Sequence, residues 1–332
     1  MAVGAQYKRR QRAIPRQDAL PAAIPHSSPV GRQSDLSLTA AAFTGIYVIW
    51  GTTYLAVAIA IRTWPPFILG SVRMLLAGGL MYAWLRARRV RPFRGLNIAG
   101  TVLCGVLMSG VGNGLMIWAQ EGVPSGITAL FVASLPMFIL LLDWAFFLRS
   151  PPPRLAAAGV LLGLAGVAVL STHSHGLSGR ARPIHIIVLL LAELAWAVAT
   201  LLQRRYAPGR RFVSFTCLQL LAGGLFQLLA AALHGDWVGF TLQQVGAASW
   251  FALAYLVLFG SMIASNCYSY LIAHVPAQKV ATYALVNPII ALALGGAVLG
   301  ERVSPAAVTA SVLVMAGVAL VLLQGVLQRR PR

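Results

Sequence analysis

The chain has 332 residues, of which 58% are hydrophobic and 10% are charged, and its formal net charge is +19. Ordinary soluble domains have about 25% charged residues, so the composition excludes a soluble globular enzyme. The uncharged runs are long and do not alternate between polar and apolar residues, which excludes a closed β-barrel. The composition therefore predicts an all-α polytopic membrane protein.

The first 38 residues form a basic segment that contains Pro and Gln and has no apolar run of signal-peptide length before Leu38. A cleaved signal peptide needs such a run, so we do not expect one here. The composition of residues 1–38 predicts a disordered cytoplasmic tail whose basic side chains can contact anionic lipid.

Uncharged or nearly uncharged runs recur along the rest of the chain. A spanning helix needs about 20 apolar residues, and the runs after residue 38 are long enough for ten such helices. The predicted helices begin near Thr39, Pro66, Leu96, Pro124, Leu155, Pro183, Phe212, Ser249, Gln278 and Pro305.

The basic residues are distributed unevenly between the two sides that ten spans define. Of the 26 Lys and Arg residues, only Arg62, Arg180, Arg182 and Arg302 fall on one side, while Arg73 falls within a helix and all the others lie on the opposite side. Positively charged segments stay in the cytoplasm during insertion, so both termini are predicted to be cytoplasmic. No stacking aromatic residues interleave with these arginines, which argues against nucleic-acid binding.

Several stretches of the chain occur twice. An offset of 152 residues relates the Val-Pro and later Pro motifs, and the Leu-Leu-Ala-Gly-Gly-Leu motif also recurs. The pairs are Val123-Pro124 with Val275-Pro276, Pro136 with Pro288, and Leu75–Leu80 with Leu220–Leu225. Five helices is an odd number, so the second half enters the membrane in the opposite direction and a pseudo-twofold axis lies in the membrane plane. We expect a first repeat at 39–173, a second at 183–328, and a substrate cavity between them.

A set of short motifs follows in order across both halves, from about residue 39 to residue 327. They are Tyr47-x-x-Trp50-Gly51-x-x-Tyr54, Pro65-Pro66-Phe67 with Arg73, Pro136 and Pro288, and Gly300-Glu301-Arg302-x-Ser304-Pro305. Together they resemble ten-helix permeases of the EamA type, in the drug/metabolite transporter superfamily. The resemblance implies a carrier, often an exporter of amino acids or other small metabolites. One departure is Leu148-Arg149-Ser150, which stands where the fourth helix of the family usually ends in Gly-Glu-Arg.

Three ionisable residues fall within the predicted spans, where a charge is costly unless it has a partner or a wet cavity. Arg73 lies about mid-span and is either a cation that binds a carboxylate or phosphate of the substrate, or a structural arginine. Glu193 is either a substrate-binding or proton-carrying carboxylate, or the neutralising partner of Arg73. For Asp143 we favour a structural role near the cytoplasmic interface.

Polar and aromatic residues of several helices form the predicted lining of the cavity. Asn113 and Gln120 are seven residues apart, and Asn266 and Tyr270 are four apart, so each pair shares one helix face. The alternative for any one of them is a hydrogen bond that joins two helices. The predicted substrate-binding residues are Trp50, Tyr54, Arg73, Asn113, Trp118, Gln120, Ser134, Glu193, Asn266, Tyr270, Tyr283 and Asn287.

Two repeat-equivalent prolines, Pro136 and Pro288, are predicted to lie inside helices four and nine as gating residues. A proline within a helix removes one backbone hydrogen bond and permits bending. We therefore expect the helices to bend near Ser134 and Asn287 and to open the cavity on opposite faces of the membrane. The alternative is that both prolines only kink the helices to fit the bundle.

Other functional classes have little support in the residue pattern. The sequence has no metalloprotease, serine-hydrolase or paired-aspartate motif, so we expect no catalytic residue and no cofactor. Cys104, Cys217 and Cys267 fall in predicted spans without Cys-x-x-Cys spacing, and we expect no metal site. A membrane-embedded enzyme and a channel, which would need rings of carbonyls or charges, stay open as alternatives.

The expected protein is thus a secondary transporter of a small polar metabolite, an amino acid or a related compound, in the direction of efflux by alternating access. We place it in the bacterial cytoplasmic (inner) membrane, with a small-molecule substrate and membrane lipid as its partners. A homodimer is left open.

The charge asymmetry yields a topological prediction. A fusion after Arg182 should place its reporter in the periplasm, and a fusion after Arg205 should place it in the cytoplasm, because the basic loops stay inside. Paired alkaline phosphatase and fluorescent-protein fusions measure this. Equal reporter activity at the two positions, or the reverse pattern, would contradict the predicted orientation.

Overall fold

The computed structural model describes residues 29–148, 153–172, 183–206, 211–275, 277–301 and 304–327. Clustering of contacts separates Thr39–Arg332, which contains the bundle described below, from the residues before it. All regular secondary structure within the described ranges is helical. The predicted all-α class is confirmed.

Within these described ranges, ten long helices follow one another. They are α1 (Pro29–Ala60), α2 (Pro66–Ala87), α3 (Ile98–Ala119), α4 (Ser125–Phe146), α5 (Arg154–Thr172), α6 (Pro183–Tyr206), α7 (Phe212–His234), α8 (Ala247–His274), α9 (Tyr283–Leu299) and α10 (Pro305–Leu327). Eight are long and apolar enough to cross a membrane, while α5 and α9 are shorter apolar helices. At about 1.5 Å per residue, the 17 residues of α9 extend about 25 Å.

Local signals explain where these helices begin. Pro66, Pro183 and Pro305 are each the first helical residue, a position where the missing N–H costs no intrahelical hydrogen bond. Asn97 caps α3, since its side-chain oxygen accepts a hydrogen bond from Gly100 N at 2.9 Å. α1 differs from the prediction, because it begins at Pro29 and so includes the last part of the segment that we predicted to be disordered.

α3 and α8 each contain a π-helical segment near their centre. The segment covers Val106–Gly112 in α3 and Leu256–Ile263 in α8, positions that nearly coincide under the 152-residue offset of the repeats. A π turn accommodates an extra residue and occurs often at functional sites. Both halves of the protein therefore have the same distortion at mid-membrane depth.

α4 and the region of α9 are both interrupted, but at different places. α4 divides into Ser125–Val132 and Leu135–Leu142, with a turn at residues 133–134. In the second repeat, the short helix Ala277–Val280 precedes α9, which starts at Tyr283. The offset of 152 residues would place the turn of α4 inside α9, so the two equivalent helices have different conformations.

This difference separates the two prolines. Pro288 lies inside α9, as predicted. Pro136 lies in the first turn of the second segment of α4, not inside an uninterrupted helix as predicted. In the first turn of a helix a proline costs no intrahelical hydrogen bond, because its missing N–H would have no partner there. The turn of the chain in α4 is at residues 133–134, just before Pro136.

Close crossings of equivalent helices hold the two repeats together. α5 packs along α10 and α2 packs along α7. A Cβ atom at Gly317 would lie 2.5 Å from Gly159 O, and one at Gly159 would lie 2.6 Å from Gly317 O. Glycine is required here because any side chain would push the two backbones apart. Ten helices in two inverted repeats of five form the bundle.

The α5–α10 crossing yields a stability prediction. Gly317→Ala should destabilise the protein by about 1–3 kcal/mol, as overpacking does in other tightly packed cores, since the new methyl group meets fixed backbone atoms. Gly79→Ala is the matched control, because a Cβ atom at this helical glycine has no neighbour within 4 Å. Thermal unfolding in detergent measures both, and equal melting temperatures for the two variants would contradict the close crossing.

Candidate functional site

A cavity of about 470 Å³ lies among six helices at the centre of the bundle. Its wall combines aromatic rings with a few polar and two ionisable side chains. The lining residues are Trp50, Thr53, Tyr54, Arg73, Gly112, Asn113, Met116, Val132, Glu193, Trp196 and Tyr283. Ligand cavities commonly have this mixture of apolar walls and a few placed polar groups.

A second cavity of about 400 Å³ adjoins the first. The two share Trp50, Arg73, Asn113 and Trp196, so Arg73 lies between them. The further lining residues of the second cavity are Met74, Met108, Ser109, Thr216, Gln219, Leu220, Gly260, Ser265, Tyr268 and Ser269. The two cavities therefore meet at Arg73, between helices of both repeats.

Arg73 is buried in this region and is held by neutral groups. Its Nε donates to Ser261 Oγ at 2.8 Å, and its Nη1 lies 3.5 Å from Asn113 Oδ1. Ser261 belongs to the π-helical segment of α8. Among the described residues no carboxylate lies within 4.0 Å of the Arg73 guanidinium, so its positive charge has no ion-pair partner there.

Glu193 lies on the wall of the first cavity and only 3% of it is exposed. Its Oε2 atom has no hydrogen-bond partner in the described part of the chain. The proposed neutralisation of Arg73 by Glu193 is therefore absent from this conformation. Asp143 instead lies 3.9 Å from Arg204 Nη1, which fits the structural role that we favoured for it.

Aromatic rings form the remaining wall around Trp50. The centroid of Trp50 lies 5.9 Å from that of Trp196, 5.1 Å from Tyr268 and 5.2 Å from Tyr283. Trp50 Nε1 also donates to Gly260 O at 3.3 Å. These contacts join four helices around one ring, so the cavity wall is rigid on this side.

Three predicted site residues lie elsewhere and make local contacts. Ser134 Oγ donates to Phe131 O at 2.6 Å and supports the turn within α4. Asn266 Nδ2 donates to Met262 O, one helical turn away, at 2.7 Å. Gln120 lies just beyond the end of α3, where its Nε2 contacts Met116 Sδ at 3.8 Å. None of the three lines either cavity.

The other three predicted residues outside the cavities join neighbouring elements. Trp118 packs on His185 with their ring centroids 5.1 Å apart. Tyr270 of α8 packs on Phe212 of α7 with their ring centroids 5.6 Å apart. Asn287, with its amide oriented to donate, lies 3.0 Å from Tyr47 O and so links α9 to α1. For these residues the alternative of helix-to-helix contact describes the structure better than cavity lining.

The prediction missed several polar residues of the wall. Ser261, Ser265 and Ser269 occur at every fourth position of α8, a spacing that places them on one helix face. Ser265 and Ser269 line the second cavity, whereas the predicted Asn266 and Tyr270 are each one position further along. Trp196 was also missed, although it lies three residues after Glu193 on the same face of α6.

Carboxylates outside the spans hold the ends of two cavity helices. Asp236 Oδ2 accepts hydrogen bonds from Phe67 N at 2.8 Å and Ile68 N at 3.2 Å, and so caps the start of α2, the helix of Arg73.

The pKa of Glu121, at the same end of the bundle, is raised above its ordinary value by burial and, as a further cause, by the negative charge of Asp236. The contribution of nearby His234 opposes this shift.

Glu301, which follows the end of α9, caps the start of α4. Its Oε1 accepts from Ser125 N at 2.9 Å, and its Oε2 accepts from Ser125 Oγ at 3.0 Å and from Gly126 N at 3.3 Å. Gly300 makes this possible, because its backbone has a φ of 67° that turns the chain back toward α4. The first repeat has Arg149 at the position that corresponds to Glu301. An arginine has no carboxylate and cannot accept hydrogen bonds from a helix start in this way.

The fold and the cavity together are those of a membrane carrier built from inverted repeats. The model of the EamA-like transporter family matches residues 38–172 and 183–323, and the chain belongs to this family. This confirms the resemblance that its motifs indicated.

Named relatives and a solved structure are consistent with this assignment. The uncharacterized inner membrane transporter YedA of Escherichia coli K12 is 35% identical over 267 residues, which cover 79% of this chain and 83% of YedA. A probable amino-acid metabolite efflux pump of Salmonella typhimurium is 24% identical over 282 residues, covering 82% and 90% of the two chains. A solved crystal structure shares the fold with a TM-score of 0.62 at 22% identity, over 89% of this chain and 99% of that one.

The Glu301 cap yields a testable prediction. Glu301→Ala should lower the free energy of unfolding by about 1–3 kcal/mol, because it leaves two backbone donors and one hydroxyl at the start of α4 unpartnered. Glu301→Gln, which keeps one acceptor oxygen, should have an intermediate effect. Glu121→Ala at the same end of the bundle is the control, and thermal unfolding in detergent is the measurement. A melting temperature of the Glu301→Ala variant that equals the control would show that the cap does not stabilise α4.

Proposed function

We propose that this transporter moves a small zwitterionic metabolite of the amino-acid type across the cytoplasmic membrane by alternating access, in the direction of efflux. The observation that carries the proposal is the arrangement of Arg73 and Glu193. Both side chains are buried on the wall of one cavity, and neither is in an ion pair within the described residues.

The free-energy cost of burying a charge without a partner is the reason why such an arrangement indicates a ligand. A buried charge without a partner is strongly unfavourable in a membrane protein. A ligand with a carboxylate and an ammonium group supplies one partner to each residue. The guanidinium of Arg73 can bind a carboxylate through two parallel hydrogen bonds, and the unpartnered Oε2 of Glu193 can accept from an ammonium group.

The walls of the cavity fit a ligand of this kind. They combine flat aromatic rings, such as those of Trp50 and Tyr54, with a few placed polar groups, as is common in small-molecule sites. The named activity of the Salmonella relative, amino-acid metabolite efflux, supports the same substrate class and direction.

Alternating access is supported by the unequal conformations of α4 and α9. Inverted repeats open to one side of the membrane when the two equivalent halves adopt different conformations, and exchange of these conformations opens the other side. α4 is interrupted at residues 133–134, before Pro136, whereas α9 continues through Pro288. We propose that these helices are the moving parts and that the two prolines limit where they bend.

The direction of the chain in the membrane follows from its charges. We place both termini in the cytoplasm, because most of the Lys and Arg residues lie on that side of the bundle. The Glu301 cap then lies at the periplasmic end and holds α4 against the segment after α9. A free metabolite from the cytoplasm would reach Arg73 and Glu193 through the opposite end.

The charges on the cavity wall can be tested with three related ligands. An amino acid that the protein moves, found by counterflow in proteoliposomes, is compared with its deaminated acid and its decarboxylated amine. Arg73→Ala should weaken binding of the amino acid and the acid by about tenfold or more, since a charge-assisted hydrogen bond is lost, and should spare the amine. Arg73→Lys should restore only part of the affinity, because it lacks the planar fork.

Glu193→Gln should have the complementary effect, with weaker binding of the amino acid and the amine and little change for the acid. Arg62→Ala, which removes an exposed cation near the end of α1, is the matched control and should leave all three affinities unchanged. Binding of the purified protein is measured by calorimetry in detergent. Amino-acid affinities within twofold of wild type for both Arg73→Ala and Glu193→Gln would overturn the zwitterion proposal.

A further inference from the structure

We infer that Gln219 is a specificity-determining residue of the cavity, and that its side-chain amide recognises an uncharged hydrogen-bond acceptor on the side chain of the substrate. The inference rests on the proposed amino-acid-type substrate, to which it adds the chemistry of the side chain. Gln219 belongs to α7 and lines the second cavity together with Arg73.

The internal symmetry of the bundle makes Gln219 the counterpart of Arg73. A Cβ atom at Gly78 of α2 would lie 2.8 Å from Leu221 Cγ, and one at Gly224 of α7 would lie 2.8 Å from Leu75 Cγ. These reciprocal contacts pair Leu75 with Leu221 and Gly78 with Gly224, 146 residues apart in each case, which is one residue more than the 145 between the Leu-Leu-Ala-Gly-Gly-Leu motifs of the sequence. The offset of 146 residues takes Arg73 to Gln219.

The neighbouring helices show the same relation. Arg73 Nε donates to Ser261 Oγ of the π-helical segment in α8. The repeat offset of 152 residues takes Ser261 to Ser109, which lies in the π-helical segment of α3 and lines the cavity with Gln219. Gln219 thus occupies, in the second repeat, the position that Arg73 occupies in the first, but it has a neutral donor in place of a cation.

The amide of Gln219 is available to a ligand. Gln219 is 3% exposed, and its Nε2 is buried with no hydrogen-bond partner among the residues that the structure describes. Its polar neighbours on the wall satisfy each other, since Thr216 Oγ1 donates to Ser269 Oγ at 2.7 Å. A buried donor without a partner is rare and costly, and a ligand in the cavity would remove that cost.

The position of Gln219 is also fixed by close backbone packing. A Cβ atom at Gly105 would lie 2.5 Å from Gln219 O, so α3 and α7 touch at this residue. A rigid donor discriminates well between ligands, because a substrate without an acceptor leaves the donor unpaired. Arg73 and Glu193 would hold the two charged groups, and Gln219 would hold a hydroxyl or carboxamide oxygen on the side chain.

Isosteric pairs of amino acids test this assignment in proteoliposomes that contain the full-length protein. Threonine and valine have nearly the same shape, as do asparagine and leucine, but only the first of each pair has a side-chain acceptor. We expect wild type to prefer the polar member of at least one pair by about tenfold in counterflow. Gln219→Met should remove this preference, which is measured as the ratio of the counterflow rates of the polar and apolar members in one preparation.

Gln219→Leu provides a second apolar replacement if the methionine variant does not fold, and Gln243→Met in an exposed loop is the matched control. Equal transport of both members of every pair by wild type would overturn the inference without any variant. A preference that persists in the Gln219 variants would also overturn it, while the proposed transport of amino acids would stand. Wild-type protein that moves none of the four amino acids, and binds no other zwitterion, would overturn the proposed function itself.

Discussion

The cost of placing a charge in the membrane interior without a partner is the constraint on which this structure depends. The hydrocarbon region provides no water, so a polar side chain there must face protein or a wet cavity. Arg73 and Glu193 both face the central cavity, and neither is neutralised by the other in this conformation. Two ionisable groups without ion-pair partners on one cavity wall are the basis on which we propose a binding site there.

The cavity exists because the surrounding helices cross so closely elsewhere. α5 and α10 meet through glycine backbones at Gly159 and Gly317, and α2 and α7 meet at Gly78 and Gly224. These crossings fix the frame of the two repeats, while the bulky rings around Trp50 hold the central walls apart. The helices therefore pack tightly where they cross at glycines and are further apart where the aromatic rings line the cavity.

The two repeats share a fold but differ in chemistry, and we propose that the differences are functional. Arg73 in the first repeat corresponds to Gln219 in the second, so equivalent positions provide a cation and a neutral donor. The carboxylate of Glu301 holds α4 at one end of the bundle, whereas the first repeat has Arg149 at the matching position.

The sequence by itself determined the ten helices, their repeat and the family, because apolar length, proline starts and recurring motifs are local properties. It also singled out Arg73 and Glu193, since any ionisable residue within a span must have a reason to be there. Among the neutral residues, the sequence analysis correctly placed Trp50, Tyr54, Asn113 and Tyr283 on the wall, but only the tertiary structure identified the others. Along α8 the wall uses Ser265 and Ser269 instead of the predicted Asn266 and Tyr270, because a π-helical segment shifts the phase of the helix and only packing against the neighbouring helices selects the inward face.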